Sequence, residues 1–418
     1  MPGIEYAIII ALSFTAAVIA STAIQLILGT KLVLMFADTP DRRKVHTAPI
    51  PRVGGIAMII AVLAVTLAWY ALSAKSGFVR AVPPDLFWSI LAAATSLGAL
   101  GFLDDSRFVN IRVRHKLVVV AALALITVYL FGVHPGPISL FGLFVIPEPV
   151  SKAIAVLWIV GLINAYNLVD GLDGFAGTIS ALSFLGITVV SMIAGCAATA
   201  VLSLFALGAA IGFLVHNAPP ARVFMGDTGS CFLGYMTALL TIRAAFLMDG
   251  SGKVPLVMPL LAAIPILEVL VTILRRYFSA NDMGVRRTLK HIVTADSSHL
   301  HHRFLFRGFS HLETCILVGM LTTTIVGGAV CVMLAPISYL PWVALYLVVP
   351  VATALYRVRI GGSLIAPICP EELARNIKLA AQRARTVRRR RFYSDLSMQA
   401  ALSVPVSALL VYLLMKGA

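Results

Sequence analysis

Apolar residues in this chain come in long, nearly unbroken runs separated by short polar stretches. The runs fall at roughly 6–30, 53–73, 86–103, 117–132, 153–163, 176–192, 197–215, 230–248, 254–274, 312–335, 339–356 and 397–415. A helix of about 20 largely apolar residues crosses the hydrocarbon core of a bilayer. The pattern therefore predicts an all-α polytopic membrane protein, with about 11 spans up to residue 356 and an extra C-terminal one. The fifth run is short alone and must extend back through Leu140–Val150 or forward past Gly161. The first run reads as a span and not a signal peptide, since it is long and its start carries Glu5 instead of a basic cluster. No repeat of fixed period and no loop of soluble-domain size interrupts the series. The division expected is a membrane-embedded core over 1–356 and a basic tail over 357–418 that ends in an apolar segment.

Composition narrows the class. Of 418 residues, 60% are hydrophobic and 12% charged, and the mean hydropathy is +0.95. A soluble domain is nearer a quarter charged, so soluble, disordered and fibrous classes are excluded. Five cysteines without a CxxC pair read as reduced, space-filling residues. The net charge of +15 would suggest nucleic acid in a soluble protein. Here, all of the 33 Lys and Arg except Lys75, Arg80, Lys152, Arg243, Lys253 and Lys416 fall in alternate inter-run loops. The positive-inside rule makes those loops cytoplasmic and places the N-terminus outside. The charge is then topology, and no nucleic-acid partner is expected.

Carboxylates do little to set topology, yet Asp38, Asp41, Asp104, Asp105, Asp170, Asp173, Asp227, Asp282 and Asp296 crowd into the same loops. Several dispersed segments are expected to build one acidic, cytoplasm-facing site. The most specific is Asn164-Ala-Tyr-Asn167-Leu-Val-Asp170-Gly-Leu-Asp173-Gly174. Its polar side chains recur every third residue, and on an α-helix that row drifts about 60° per step. They converge only if the helix breaks, which Gly171 and Gly174 permit; a merely capped helix end is the plainer alternative. Asp104-Asp105 closes the third run, and adjacent carboxylates are tolerated in water or beside a divalent cation. Arg107, Arg112, Arg114 and Lys116 follow it and read as topological anchors. Phe224-Met225-Gly226-Asp227-Thr228-Gly229-Ser230 opens the eighth run, with Asp227 either a helix cap or a ligand to a metal that carries phosphate. His299-Leu300-His301-His302-Arg303 suggests phosphate contacts. Arg42-Arg43-Lys44-Val45-His46 precedes a Gly54-Gly55 helix start that is able to grip phosphate or headgroups. Hard oxygen donors without a soft-ligand cluster point to Mg²⁺ or Mn²⁺.

Together these segments resemble the polyprenyl-phosphate N-acetylhexosamine-1-phosphate transferases, whose motifs run in this order over roughly residues 1–356. The motif forms are most similar to those of the bacterial undecaprenyl-phosphate N-acetylglucosaminyl-1-phosphate transferases. The His-Leu-His-His form argues against phospho-N-acetylmuramoyl-pentapeptide transferase. The resemblance implies transfer of GlcNAc-1-phosphate from a UDP-N-acetylhexosamine to undecaprenyl phosphate, releasing UMP, as the first membrane step of surface-polysaccharide assembly. It implies a multi-pass enzyme of the bacterial inner membrane, in contact with membrane lipid, with its site facing the cytoplasm; a homo-oligomer is compatible with it. Asp227 would be the principal Mg²⁺ ligand, joined by Asn167. Asp104 and Asp105 would be the catalytic carboxylates flanking the metal, Asp104 deprotonating or orienting the lipid phosphate. Lys44, Asp170, Asp173 and Phe224 would hold the uridine end, with Phe224 stacking on the base. His299, His301, His302 and Arg303 would contact the diphosphate or sugar, and His46 and Asn164 complete the substrate-binding set. Direct attack by the lipid phosphate and a covalent aspartyl intermediate both remain open.

Three features depart from the family pattern. Glu268 stands where relatives usually carry Asp, the stretch from Arg275 to Ser298 is long, and the tail beyond residue 357 lies outside the family core. Leu373, Ile377 and Leu379 among the tail's basic residues suit an interfacial helix on anionic lipid. The rival from another class is a secondary transporter of a nucleotide sugar. Transport sites lie near the midplane, however, whereas nearly all acids here fall at loop edges on one side and only Glu268 reads as buried within a span. A CDP-alcohol phosphotransferase would need an Asp-Gly-x-x-Ala-Arg core that the Asp170 segment lacks.

Overall fold

The computed structural model describes residues 2–38, 49–76, 82–106, 111–140, 143–246, 248, 252–279, 299–306 and 309–336, with isolated residues up to 352. Helices carry nearly all of it. They are α1 (Pro2–Leu28), α2 (Gly54–Ser76), α3 (Pro84–Asp105), α4 (Val113–Leu125, prolonged by a π turn over Ile126–Leu130), α5 (Glu148–Val169) and α6 (Phe175–Ile193). They continue as α7 (Ala197–Asn217), α8 (Gly226–Phe246), α9 (Val254–Leu261), α10 (Ala263–Ser279), α11 (Leu300–Phe306) and α12 (His311–Leu334). Two small antiparallel pairings join them: β1 (Ala37–Asp38) with β2 (Ile50–Pro51), and β3 (Ile138–Leu140) with β4 (Phe144–Ile146).

Among the described residues nine helices are long and apolar enough to cross a membrane, ten if α9 and α10 are one span. The all-α polytopic class stands. The expected runs at 339–356 and 397–415 lie almost wholly outside the described residues, as does the tail. The short fifth run grows in both directions, into α5 from Glu148 to Val169. The run at 254–274 is not one straight helix: α9 and α10 meet at 85°. Prolines explain the break, because Pro265 has no N–H for the Leu261 carbonyl and Pro259 lies inside α9.

At the centre stands α8, packed against α2, α3, α5, α6, α7 and α9. Its most apolar window is 89% buried, against 22% for α1. A helix enclosed by protein need not be strongly apolar, and α8 is accordingly rich in Gly, Ser and Thr. Such residues let helices approach closely and bond across the gap. Tyr235 Oη lies 2.8 Å from Thr127 Oγ1, Thr237 Oγ1 is 3.0 Å from Tyr166 Oη, and Trp158 Nε1 donates to Thr241 Oγ1 at 3.0 Å. At Gly101 of α3 a Cβ would fall 2.3 Å from the Thr228 Cα, so only glycine allows these two helices to meet. The pair is antiparallel and tied at both ends. Asp105 closes α3 onto the start of α8, and Asp85 at the start of α3 pairs with Arg243 near the end of α8 at 3.5 Å. α12 begins with a capping box, Ser310 Oγ accepting from Glu313 N while Glu313 Oε2 accepts from Ser310 N.

Candidate active site

The starts of α2 and α8 and the ends of α3 and α5 meet in one place. Backbone bonds stitch it first: Phe224 N donates to Pro51 O, Gly54 N to Phe224 O and Gly55 N to Met225 O, all within 3.0 Å. The opening donors of α2, which the sequence suggested for gripping phosphate, are thus spent on the loop that precedes α8.

Asp105 does the corresponding task for α8. Its Oδ1 accepts from Asp227 N at 3.0 Å, and its Oδ2 accepts from Thr228 N at 3.0 Å and Thr228 Oγ1 at 2.8 Å. The side chain has no exposed surface. A carboxylate from α3 therefore caps α8 and sits at the positive end of its dipole. Gly226 makes room: it holds φ +68°, and a Cβ there would fall 2.4 Å from Asp105 Oδ2. Of the helix-cap and ligand readings of Asp227, the cap belongs to Asp105, and the Asp227 carboxylate is left to face elsewhere.

It faces Lys116. That ammonium, near the start of α4, donates to Asp104 Oδ2 at 2.5 Å and also to Asp227 Oδ2. Asp104 additionally accepts from Ile111 N at 3.3 Å. Successive residues on a helix point about 100° apart, which is why Asp104 reaches Lys116 while its neighbour is buried against α8. One turn beyond Asp227, Ser230 Oγ donates to Asn167 Oδ1, which brings α5's amide alongside. Asp170, half-buried where α5 ends, has its pKa pushed up to about 8 by burial and by the carboxylates of Asp227 and Asp105, against the pull of Arg52. Arg52 anchors the other edge, with Nη2 2.8 Å from Asp38 Oδ1 and Nη1 3.9 Å from Asp105 Oδ1.

The helix break expected in the Asn164 segment occurs right after Val169, and Gly174 takes φ +72°. The turn so made is held by the end of α7, by the α7–α8 loop and by α12. Gly174 N donates to Asn217 Oδ1 (2.9 Å), Asn217 Nδ2 donates to Val223 O (2.8 Å), and Ala221 N donates to Asp173 Oδ2 (3.2 Å). His311 Nδ1 stands 3.2 Å from the same Asp173 oxygen, and Cys315 Sγ donates to Asp173 O. Asn167, Asp170 and Asp173 thus border the site. Asn164 instead turns its amide onto its own helix, donating to Val160 O at 2.7 Å. Phe224 is half-buried with its backbone in the stitch.

A second group gathers at the start of α11. His299 Nδ1 is 3.0 Å from Glu268 Oε1, the His302 ring centre is 6.2 Å from that of His299, and Arg303 is fully buried. Lys44 and His46, and the side chain of His301, lie outside the described residues.

The residues the sequence reading missed are informative. Lys116 read as a topological anchor, and Arg52, Asn217 and His311 carried no motif. Only their spatial neighbours set them apart.

Among the described residues no group of three His, Cys, Asp or Glu side chains is arranged to hold a metal ion by itself. Mg²⁺, though, is usually held by one or two carboxylates together with substrate phosphates. The donor set here has that character: Asp104 and Asp227 converge on one cationic group, with the Asn167 amide adjacent.

The signature of glycosyl transferase family 4 matches residues 87–245, from α3 through α8. The chain is 30% identical over 285 residues to the probable undecaprenyl-phosphate N-acetylglucosaminyl 1-phosphate transferase of Bacillus subtilis (strain 168), covering 67% of this chain and 73% of that one. The chain belongs to this family. Decaprenyl-phosphate N-acetylglucosaminephosphotransferase of Mycobacterium tuberculosis (strain CDC 1551 / Oshkosh) is 28% identical over 310 residues, or 69% of this chain and 74% of its own. The phospho-N-acetylmuramoyl-pentapeptide-transferase of Chloroherpeton thalassium (strain ATCC 35110 / GB-78) is 28% identical over 352 residues, 72% of this chain and 87% of its own. The chain is therefore a membrane-embedded transferase, and the transporter reading falls away. The matched stretch contains Asp104, Asp105, Asn167, Asp170, Asp173 and Asp227, the polar groups assembled around α8.

Proposed function

We propose that this transferase moves N-acetylglucosamine-1-phosphate from UDP-GlcNAc to undecaprenyl phosphate, releasing UMP, at the cytoplasmic face of a bacterial inner membrane. The observation that carries the reading is Lys116 between Asp104 and Asp227, at the ends of helices long enough to span the bilayer. Such a place is open both to a soluble nucleotide and to a lipid headgroup.

Asp104 orients the lipid phosphate and takes its remaining proton. A phosphate oxygen then attacks the sugar-linked phosphorus, the new O–P bond forms, and the bond to the UMP oxygen breaks. This direct route needs no aspartyl intermediate, and Asp105, enclosed by its three donors, serves to hold α8 instead of attacking. Lys116 donates to the phosphate oxygens as negative charge shifts towards the leaving UMP. Asp227 and Asn167 would hold Mg²⁺, which supplies charge compensation to the diphosphate. Asp170, Asp173 and Phe224 border the nucleoside end, with Lys44 and His46 contributed by the first cytoplasmic loop. His299, His301, His302 and Arg303 contact the diphosphate or sugar.

Purified protein should convert UDP-GlcNAc and undecaprenyl phosphate into lipid-linked sugar and UMP only with Mg²⁺ or Mn²⁺ present. Asp227→Asn should lower turnover by about 100-fold or more while the protein stays folded in detergent. Near-normal turnover in that variant would refute the assigned role of Asp227. A panel of UDP-amino sugars, read by UMP release, decides which sugar is accepted.

A further inference from the structure

Glu268 has so far no part in the chemistry. It lies in α10 within Pro265-Ile-Leu-Glu268-Val-Leu, and only 1% of it is exposed. A carboxylate inside an apolar span is costly unless it is engaged, and such residues mark function. Its Oε1 stands 3.0 Å from Nδ1 of His299, 31 positions along the chain. The contact couples the carboxyl group to the tautomer of the ring: with Nδ1 donating to Oε1, the ring's other nitrogen, Nε2, is the one turned to a further partner. His299 immediately precedes α11, which has seven residues. A helix that short does not hold its own position and depends on outside contacts. Beyond buried Phe304 and Leu305, the Glu268 bond supplies one. α10 also packs against α5, the helix that carries Asn167. The pairing thus ties the histidine segment to the element that borders the acidic site.

We infer that Glu268 is a positioning residue: from within the span it accepts the Nδ1 hydrogen of His299 and fixes the tautomer and ring orientation in which Nε2 meets the diphosphate of the UDP-sugar. The inference rests on the reading above that His299 contacts the diphosphate. Metal-ligand histidines held by a carboxylate on their second nitrogen lose about 10- to 100-fold when that partner is removed. A loss of similar size is expected here.

The test is a double-mutant cycle in the full-length protein, using Glu268→Gln, His299→Ala and their combination, with Glu268→Asp as the conservative variant. Glu268→Gln should lower kcat about 10-fold with little change in KM for undecaprenyl phosphate, and Glu268→Asp should restore part of it. In the His299→Ala background Glu268→Gln should cost nothing further, and additive losses would overturn the inference. A second readout does not depend on turnover. In ¹⁵N-histidine-labelled protein, the signal that His299→Ala removes should report a protonated Nδ1 and should move in Glu268→Gln or Glu268→Asp. A signal unmoved by both variants would overturn the inference. A moved signal in a wild-type protein that releases no UMP from UDP-GlcNAc would uphold the positioning and refute the substrate.

Discussion

Lys116 meets two carboxylates at once, and Asp170 meets the same cluster without a cation of its own within bonding reach among the contacts described. The consequences differ. Burial and like charge raise the Asp170 pKa to about 8 from an ordinary 3.8, so between those values the folded chain binds more protons than the unfolded one. Stability attributable to this group is full below the lower value and declines as pH rises towards the upper. Asp170→Asn removes that decline. The variant should therefore melt above the wild type at pH 7 to 8 and match it near pH 4, read by thermal unfolding of the substrate-free protein in detergent across that range. The loss of a site carboxylate should lower transfer in the same variant. At this scale the sequence was informative where residue type and spacing both spoke, as at Asn167, Asp170 and Asp227. It was mute about Lys116, because a lysine that anchors topology and a lysine that bridges two aspartates look alike until the end of α3 is folded against the start of α8. Nor does adjacency reveal that Asp104 and Asp105 face different partners; that follows from which side of α3 Gly101 opens to α8.

At the level of elements, α3 and α8 behave as one antiparallel unit with unequal ends. At the site end, a fully enclosed carboxylate receives three donors. At the far end, Asp85 and Arg243 meet at 3.5 Å with 22% of each side chain exposed. Removing an acceptor from buried donors costs about 1–3 kcal/mol, whereas half-solvated ion pairs are worth about 0–1 kcal/mol. Asp105→Ala should therefore lower the melting temperature clearly more than Arg243→Ala, measured side by side in one detergent. Equal losses would mean that the cap does not hold the helices together. The elements themselves were largely readable, because a run of apolar residues is the same signal whichever neighbour it meets. What escaped was the bend between α9 and α10, since Pro259 and Pro265 interrupt hydrogen bonds without interrupting hydropathy.

For the whole molecule, α5 runs from the β3–β4 hairpin to the acidic site, so these two lie at opposite ends of a span. Single cysteines at exposed Arg114 and Arg222, near the site, and at Leu143, in the hairpin, should react with an impermeant thiol reagent from opposite faces of sealed vesicles. The lysine and arginine distribution predicts that Arg114→Cys and Arg222→Cys label from the cytoplasmic face and Leu143→Cys from the other. The reverse result would invert the topology and with it the side on which UDP-sugar must arrive. The sidedness expected from the sequence rests on net asymmetry over many residues, so it does not hang on any single lysine or arginine.

The enclosure of α8 has one more consequence. Bilayers differ in thickness, and a helix in contact with acyl chains answers by tilting. α1 leaves most of its surface uncovered by protein, whereas α8 is shielded by its ring of neighbours. The depth at which Asp227 sits is thus set by protein-to-protein packing, so turnover should vary little between short-chain and long-chain lipids, while the outer helices absorb the mismatch.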